Sequence, residues 1–166
     1  MSNPAIIIIP GSWHIPRHYA RLTTHLSNHN YSATAVALPS VNSSPPLQTW
    51  EEDAQAVRQA IMEKLGLGQD VVAIAHSFGG VAMSEAVKGL GKEERQKQGF
   101  ATGVLRLVYM CAMALPMGQT HVGQIKPVTP EEEEREKAQK ELAEKNGGMQ
   151  FTNVQSHSLS HTSNMQ

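Results

Sequence analysis

The sequence predicts an α/β fold, a three-layer sandwich in which helices cover both faces of a mostly parallel sheet of about four strands. Short apolar runs alternate along the chain with segments of helical periodicity, and this order is typical of βαβ units with right-handed crossovers. The runs are continuously apolar, which indicates strands that are covered on both faces. At 166 residues, 40% of them apolar, the chain has the size and composition of one domain.

The first part of the chain contains two predicted strands. The run "AIIIIP" at residues 5–10 is rich in β-branched side chains, and "SATAVALPS" at residues 32–40 is the second run. Residues 15–31 between them carry apolar side chains at helical spacing, which predicts a helix packed on the first strand. Residues 41–46 are rich in Asn, Ser and Pro, which indicates a loop.

A second helix is predicted to begin at Thr49, because Glu52 three residues later completes a capping box. Gly66 is placed to end this helix. The third strand is "DVVAIA" at residues 70–75, and residues 78–88 form the next helix. The apolar face of the second helix is formed by Ala54, Val57, Ile61 and Leu65.

The last part of the chain contains one more predicted strand and a polar tail. The charged segment "GKEERQKQG" is predicted to be a solvated helix extension or loop, and "GVLRLVYMCAMALP" is the fourth strand. The Glu-rich segment that follows has capping signals at both ends but almost no apolar face. We therefore expect an α/β domain over residues 1–120, a lid-like loop with a charged helix over 121–148, and a disordered tail over 149–166.

Composition argues against several classes of partner and compartment. Lys and Arg number 14 against 15 Asp and Glu, so there is no electrostatic basis for binding nucleic acid or an anionic membrane. The N-terminus has no basic region and its apolar run is too short to cross a bilayer, so we expect no signal peptide or anchor and a cytoplasmic location. The one cysteine, Cys111, excludes an internal disulfide framework and is predicted to be a buried core residue.

The segment "VVAIAHSFGGVAM" carries the clearest functional signal. It places Ser77 between a strand and a helix in the window A-x-S-x-G, where the small residues Ala75 and Gly79 permit a sharp turn that exposes the hydroxyl. A nucleophilic serine also needs a base and preorganised donors for an oxyanion. The pattern predicts Ser77 as the nucleophile and the backbone amide of Phe78 as one donor, and the helix N-terminus adds a favourable potential.

The loop after the first strand, "PGSWH", is predicted to supply the second donor. Gly11 permits close approach of the backbone, so the amide of Ser12 is the candidate. We expect Gly11, Trp13, His76 and Met113 to line the substrate pocket. Because His76 neighbours the serine on a tight turn, its ring is expected to pack under the turn rather than to act as the base.

Taken together, these segments resemble the N-terminal part of an α/β-hydrolase, and they are similar to the esterase-like members that include plant methylesterases and hydroxynitrile lyases. The resemblance rests on "PGSWH", "ALPS", "AHSFGG" and "RLVYMCAMALPMGQ", and it covers residues 5 to about 120. It implies a Ser–Asp–His triad, hydrolysis of a small ester or amide or a related reaction on a carbonyl compound, and no cofactor. "PGSWH" departs from the family's usual His-Gly in this loop, which removes one side chain but keeps the backbone donor.

The triad acid and base are not recognisable in this sequence. In this fold they follow the nucleophile on later loops, whereas the two aspartates, Asp53 and Asp70, both precede Ser77. The histidines after the fourth strand lie in the predicted lid-like loop or the polar tail. The sequence therefore predicts a C-terminally truncated serine hydrolase of esterase type with weak or no activity, or alternatively a vestigial, non-catalytic module that binds a small molecule.

Three further interpretations were weighed. Ser77 could serve only as a helix-capping residue, which the strand–turn–helix context disfavours. Three H-x-x-x-H pairs have metal-ligand spacing, but Pro16 interrupts the first, no Glu follows a leading His, and the last lies in the polar tail, so no metal is predicted. The glycine patterns of dinucleotide and phosphate loops are incomplete.

The fourth strand predicts a surface for self-association. As the last strand it would leave an edge of unpaired backbone groups flanked by the apolar run "LVYMCAMAL". We expect marginal stability, or a homodimer that forms through this edge.

Overall fold

The computed structural model describes residues 3–47 and 49–114, together with four residues of the predicted charged helix. Within these ranges four parallel strands form one sheet in the order β2-β1-β3-β4. The prediction of an α/β sandwich with about four parallel strands is confirmed. The strands are β1 (Ala5–Ile9), β2 (Ala33–Ala35), β3 (Val71–His76) and β4 (Val104–Met110), and the helices are α1 (Ala20–Asn28), α2 (Glu51–Gly66), α3 (Gly79–Ala86) and α4 (Lys92–Lys97).

Alternate residues of β1 face two separate cores. Ile7 and Ile9 pack with side chains of α2 and α3, while Ile6 and Ile8 pack with Tyr19 and the apolar side of α1. Every residue of β1 is buried, as expected for a central strand of a parallel sheet. Helices therefore cover both faces of the sheet around β1 and β3, and the carboxyl ends of these two strands meet at one edge.

The ends of α2 differ in detail from the predicted caps. The helix begins at Glu51 and not directly after Thr49. The Thr49 hydroxyl still accepts a hydrogen bond from the amide of Glu51 (3.4 Å) and donates one to the carboxylate of Glu52 (3.2 Å). The helix ends at Gly66, and the left-handed residue beyond it is Gly68, with φ of 78°.

The charged segment before β4 is a separate short helix, α4, and it is not wholly solvated as predicted. Arg95 is buried, and its Nε donates a hydrogen bond to the carbonyl of Thr102 (2.7 Å). Its guanidinium group lies 4.2 Å from the centre of the Phe100 ring, which is cation–π distance. The sequence did not predict the burial of Arg95, because an arginine among charged neighbours is normally exposed to solvent.

β4 forms one edge of the sheet in the described part of the chain, and it is poorly covered. Its first residue, Val104, is buried, but Leu105, Leu107, Val108, Tyr109 and Met110 are each between 38% and 44% exposed. Because successive side chains point to opposite faces, both faces of β4 are open. Cys111 follows directly and is exposed, so the prediction that it is a buried core residue was wrong: the core ends at the start of β4.

The predicted charged helix and tail lie mostly outside the described residues. Of the segment 121–148, four exposed residues are in helical conformation, and the predicted tail over 149–166 is not described at all. Among the helices that are described, none has the length and apolarity needed to cross a membrane. The four helical residues are Glu134, Lys137, Glu141 and Lys145.

Candidate active site

Ser77 lies in the two-residue connection between β3, which ends at His76, and α3, which begins at Gly79. Its φ is 52°, in the left-handed region that costs an L-residue roughly 1–2 kcal/mol. Such outliers cluster at functional sites, and a strained strand-to-helix turn is the geometry that holds a nucleophilic serine hydroxyl above a parallel sheet. The structure thus places Ser77 in the local setting that its sequence context predicted.

The small residues after Ser77 are required by close backbone contacts. A Cβ atom on Gly79 would lie 2.6 Å from the carbonyl oxygen of Ile9 and closer still to that of Pro10. A Cβ atom on Gly80 would meet the backbone of Met113 in the segment after β4. The start of α3 therefore packs between the segments that follow β1 and β4, and this packing fixes the position of the Ser77 turn relative to the sheet.

Residues 10–14, which we call the β1 loop, form a tight turn beside Ser77. The amide of His14 donates a hydrogen bond to the carbonyl of Gly11 (3.1 Å), and Trp13 has a φ of 64°. Since Ser12 is not among the residues with positive φ, the turn from Gly11 to His14 has the φ signs of a type II turn. A type II turn normally has glycine where Trp13 stands, so a second strained residue lies at the site.

The β1 loop touches the Ser77 turn directly. A Cβ atom on Gly11 would lie 2.9 Å from the Cβ of Ser77 and 3.1 Å from Nδ1 of His76, so only glycine fits. The Gly11 carbonyl points toward the amide of His14, and in a planar trans peptide the N–H of Ser12 points the opposite way. The two segments that were predicted to supply oxyanion donors are thus brought together.

The other predicted site residues surround this contact. Phe78 is buried, Ser12 is buried and Trp13 is 47% exposed. Met113 is partly buried, and its amide donates a hydrogen bond to the carbonyl of Ser77 (3.0 Å). This bond ties the segment after β4 to the turn.

A tyrosine and two histidines join the site in a way that the sequence did not predict. The hydroxyl of Tyr19 lies 2.9 Å from Nδ1 of His76 and accepts a hydrogen bond from the amide of Gly11 (3.4 Å). The ring of His14 packs edge-on against His76, with 5.2 Å between ring centres. Tyr19 lies in the segment predicted as the first helix, and His14 ends the predicted donor loop and begins the first H-x-x-x-H pair. No periodicity or motif points to their contact with His76.

The side chains of Tyr19 and His76 are both held neutral near pH 7. Burial raises the pKa of Tyr19, although the hydrogen bond from Gly11 acts in the other direction. Burial lowers the pKa of His76, and the neighbouring charge of His14 lowers it further. The environment of His76 therefore favours the uncharged imidazole.

The two aspartates have structural roles. Asp53 is fully buried on α2 and accepts hydrogen bonds from the amide (2.9 Å) and hydroxyl (2.6 Å) of Ser40, and burial raises its pKa despite these bonds. Asp70 precedes β3, at the end of the sheet opposite Ser77, and pairs with Lys92 at 2.6 Å. Asp53 holds the loop after β2, and Asp70 holds the start of β3.

Comparison with known proteins adds an independent line of argument. The sequence profile described as "Alpha/beta hydrolase family" matches residues 6–148. The chain is 47% identical over 134 residues to alpha/beta hydrolase nvfD of Aspergillus novofumigatus (strain IBT 16806), a match that covers 81% of this chain and 53% of that protein. It is 32% identical over 123 residues to the probable hydrolase R7 of Phoma sp. (strain ATCC 20986 / MF5453), covering 73% and 47% respectively. The chain spans about half the length of the curated relatives it matches.

Proposed function

Since this chain belongs to the α/β-hydrolase family, we propose that it carries the nucleophile and oxyanion donors of a serine hydrolase of esterase type. Ser77 is the nucleophile, and the amides of Ser12 and Phe78 are the donors. The observation that supports this proposal most strongly is the left-handed turn at Ser77 in direct contact with the β1 loop.

The proposed reaction is acyl transfer from a small ester. The Oγ of Ser77 attacks the carbonyl carbon while its proton passes to a base, and the resulting alkoxide is stabilised by the two amides. Collapse of this intermediate expels the alcohol, which takes up a proton, and leaves an acyl group on Ser77. Water then attacks the acyl group and releases the acid, which restores the serine. No cofactor takes part in this scheme.

The described residues that follow Ser77, 78–114, contain neither the histidine nor the aspartate of a triad, although in this fold the acid and base follow the nucleophile. In other serine hydrolases, loss of the triad lowers kcat on the order of 10⁶-fold and leaves on the order of 10³-fold acceleration from the oxyanion hole and binding. We therefore expect slow reaction at Ser77 and weak or no turnover by these 166 residues alone.

Trp13 is the proposed wall of the substrate pocket. Its side chain is 47% exposed although its backbone belongs to the turn that touches Ser77, so part of its apolar ring is accessible at this loop. An aromatic face of this kind suits the apolar part of a small ester or carbonyl compound. The alternative function, a non-catalytic module, would use the same wall to bind such a compound without turnover.

One experiment distinguishes the two functions. A chromogenic short-chain ester is incubated with the wild type and with Ser77→Ala, and binding of a non-hydrolysable ketone analogue is followed by Trp13 fluorescence in a Trp50→Phe background. Ester cleavage that depends on Ser77 supports the enzyme. Binding without Ser77-dependent cleavage supports the binding module, and neither binding nor cleavage by folded protein contradicts both.

A further inference from the structure

We propose that Tyr19 is a positioning residue of this site: its hydroxyl relays a hydrogen bond from the amide of Gly11 to Nδ1 of His76, and so fixes the β1 loop beside Ser77. The importance of this relay for reactivity rests on the proposed function. The relay itself rests only on the contacts of the three residues.

The ring of Tyr19 is anchored in a packed core beside the site. It is 8% exposed and belongs to the core formed with Ile6 and Ile8 on the α1 side of the sheet. Tyr19 also ends a 3₁₀ turn, Pro16–Tyr19, that leads straight into α1. The hydroxyl therefore extends from a packed core to the carboxyl ends of β1 and β3, and it has little freedom to choose other partners.

The contacts define the direction of the relay. The Gly11 amide is a donor, so the Tyr19 oxygen accepts from it at 3.4 Å. The tyrosine proton is then directed to Nδ1 of His76 at 2.9 Å, because among the described contacts of this hydroxyl only Nδ1 can accept that proton. It follows that neutral His76 carries its own proton on Nε2. The same contact ties Gly11 to the residue that precedes Ser77.

His14 holds the β1 loop from its other side. Its Nδ1 lies 2.8 Å from the carbonyl oxygen of Ser12, and since a carbonyl can only accept, Nδ1 of His14 bears the proton. The His14 amide also donates to the carbonyl of Gly11. Four backbone groups of the loop are thus hydrogen-bonded, and the Ser12 amide, the proposed oxyanion donor, is oriented by its planar peptide.

Removing the tyrosine hydroxyl should release one of these restraints while leaving the core filled. In Tyr19→Phe the Gly11 amide loses its acceptor and Nδ1 of His76 loses its donor. A displacement of about 1 Å in a reactive geometry can lower a rate about 100-fold. We expect reaction of Ser77 with a fluorophosphonate to slow on the order of ten- to a hundred-fold. The matched control is Tyr31→Phe, which removes a hydroxyl from a tyrosine packed against the same core.

The test combines this labelling rate with NMR of the histidine rings and backbone amides. In the wild type, ¹⁵N–¹H spectra should show His76 protonated on Nε2 and His14 on Nδ1. Tyr19→Phe should shift the amide resonances of Gly11 and Ser12 and disturb the His76 tautomer, while His14 keeps its own. Tyr31→Phe should change none of these.

Each outcome decides the proposal. His76 protonated on Nδ1 in the wild type, or Gly11 and Ser12 resonances that move no more in Tyr19→Phe than in Tyr31→Phe, overturns the relay. Equal labelling rates in the wild type and Tyr19→Phe overturn the positioning role. If the folded wild type is not labelled at Ser77, the proposed function fails, and the NMR measurement still decides the relay.

Discussion

The left-handed backbone of Ser77 predicts an unusual order of stabilities, in which glycine at this position gives the most stable protein. Ser77→Ala removes the hydroxyl but keeps the Cβ atom and therefore keeps the strain at φ of 52°. Ser77→Gly removes the strain, which is roughly 1–2 kcal/mol for an L-residue. Glycine also loses about 0.5–1 kcal/mol through the greater entropy of the unfolded chain. With the middle of each range, Ser77→Gly is more stable than Ser77→Ala by about 0.75 kcal/mol.

Urea unfolding and thermal unfolding measure this difference. For a chain of this size 1 kcal/mol corresponds to about 2–4 °C in Tm, so Ser77→Gly should melt about 2 °C above Ser77→Ala. The matched control is Ser84, which lies within α3, where glycine should be less stable than alanine by about 1 kcal/mol. If Ser77→Gly is equal to or less stable than Ser77→Ala while the Ser84 pair behaves normally, the turn is not strained and the geometric argument for a nucleophile is refuted.

Three further predictions concern packing, pH and association. Gly79→Ala, whose Cβ would press on the Ile9 carbonyl, should destabilise the protein by about 1–3 kcal/mol in urea, whereas Gly66→Ala, with no atom within 4 Å of its Cβ, should be neutral or stabilising. Burial raises the pKa of Asp70, but the hydrogen bond and charge of Lys92 and the Gly103 amide bring it below its usual 3.8 overall. The wild type should therefore be more stable than Asp70→Asn by its full margin above pH 3.8, and this margin should vanish as the pH falls through the lower folded-state pKa. A margin that persists in acid contradicts this. If a second copy pairs along the open edge of β4, as we propose, sedimentation should detect a concentration-dependent dimer that Val108→Lys abolishes, and a wild type that stays monomeric would exclude it.

Features set by local chemistry were predictable from the sequence. The run of isoleucines in β1 admits few structures other than a strand buried on both faces, and all of it is buried. The environment of Ser77 was likewise predictable, because only small residues fit where α3 starts against Pro10, and Gly79 is that residue. The pairing of the β1 loop with the Ser77 turn was predicted from the way this fold supplies a second oxyanion donor, and the structure brings the two segments together because β1 and β3 are neighbours.

Features set by contacts between distant residues were not predictable. The hydroxyl of Tyr19 meets His76 across 57 residues of sequence, and nothing in the helical pattern around Tyr19 distinguishes its hydroxyl from its ring. Arg95 is buried because its guanidinium group bonds to the carbonyl of Thr102 and packs on the ring of Phe100. Cys111 was wrongly predicted to be buried because its neighbours are apolar, but apolar neighbours produce burial only where another layer covers them, and the described layers do not cover most of β4.

The most direct test of the central claim is the site at which a fluorophosphonate reacts. The folded wild type and Ser77→Ala are incubated with the probe, and the modified residue is identified by mass spectrometry of peptides. We expect slow modification of the wild type that is confined to Ser77, because a strained hydroxyl beside the two proposed backbone donors should be more reactive than the other serines of the chain. Modification of the wild type and Ser77→Ala at the same rate, or at other serines in preference to Ser77, would contradict the account.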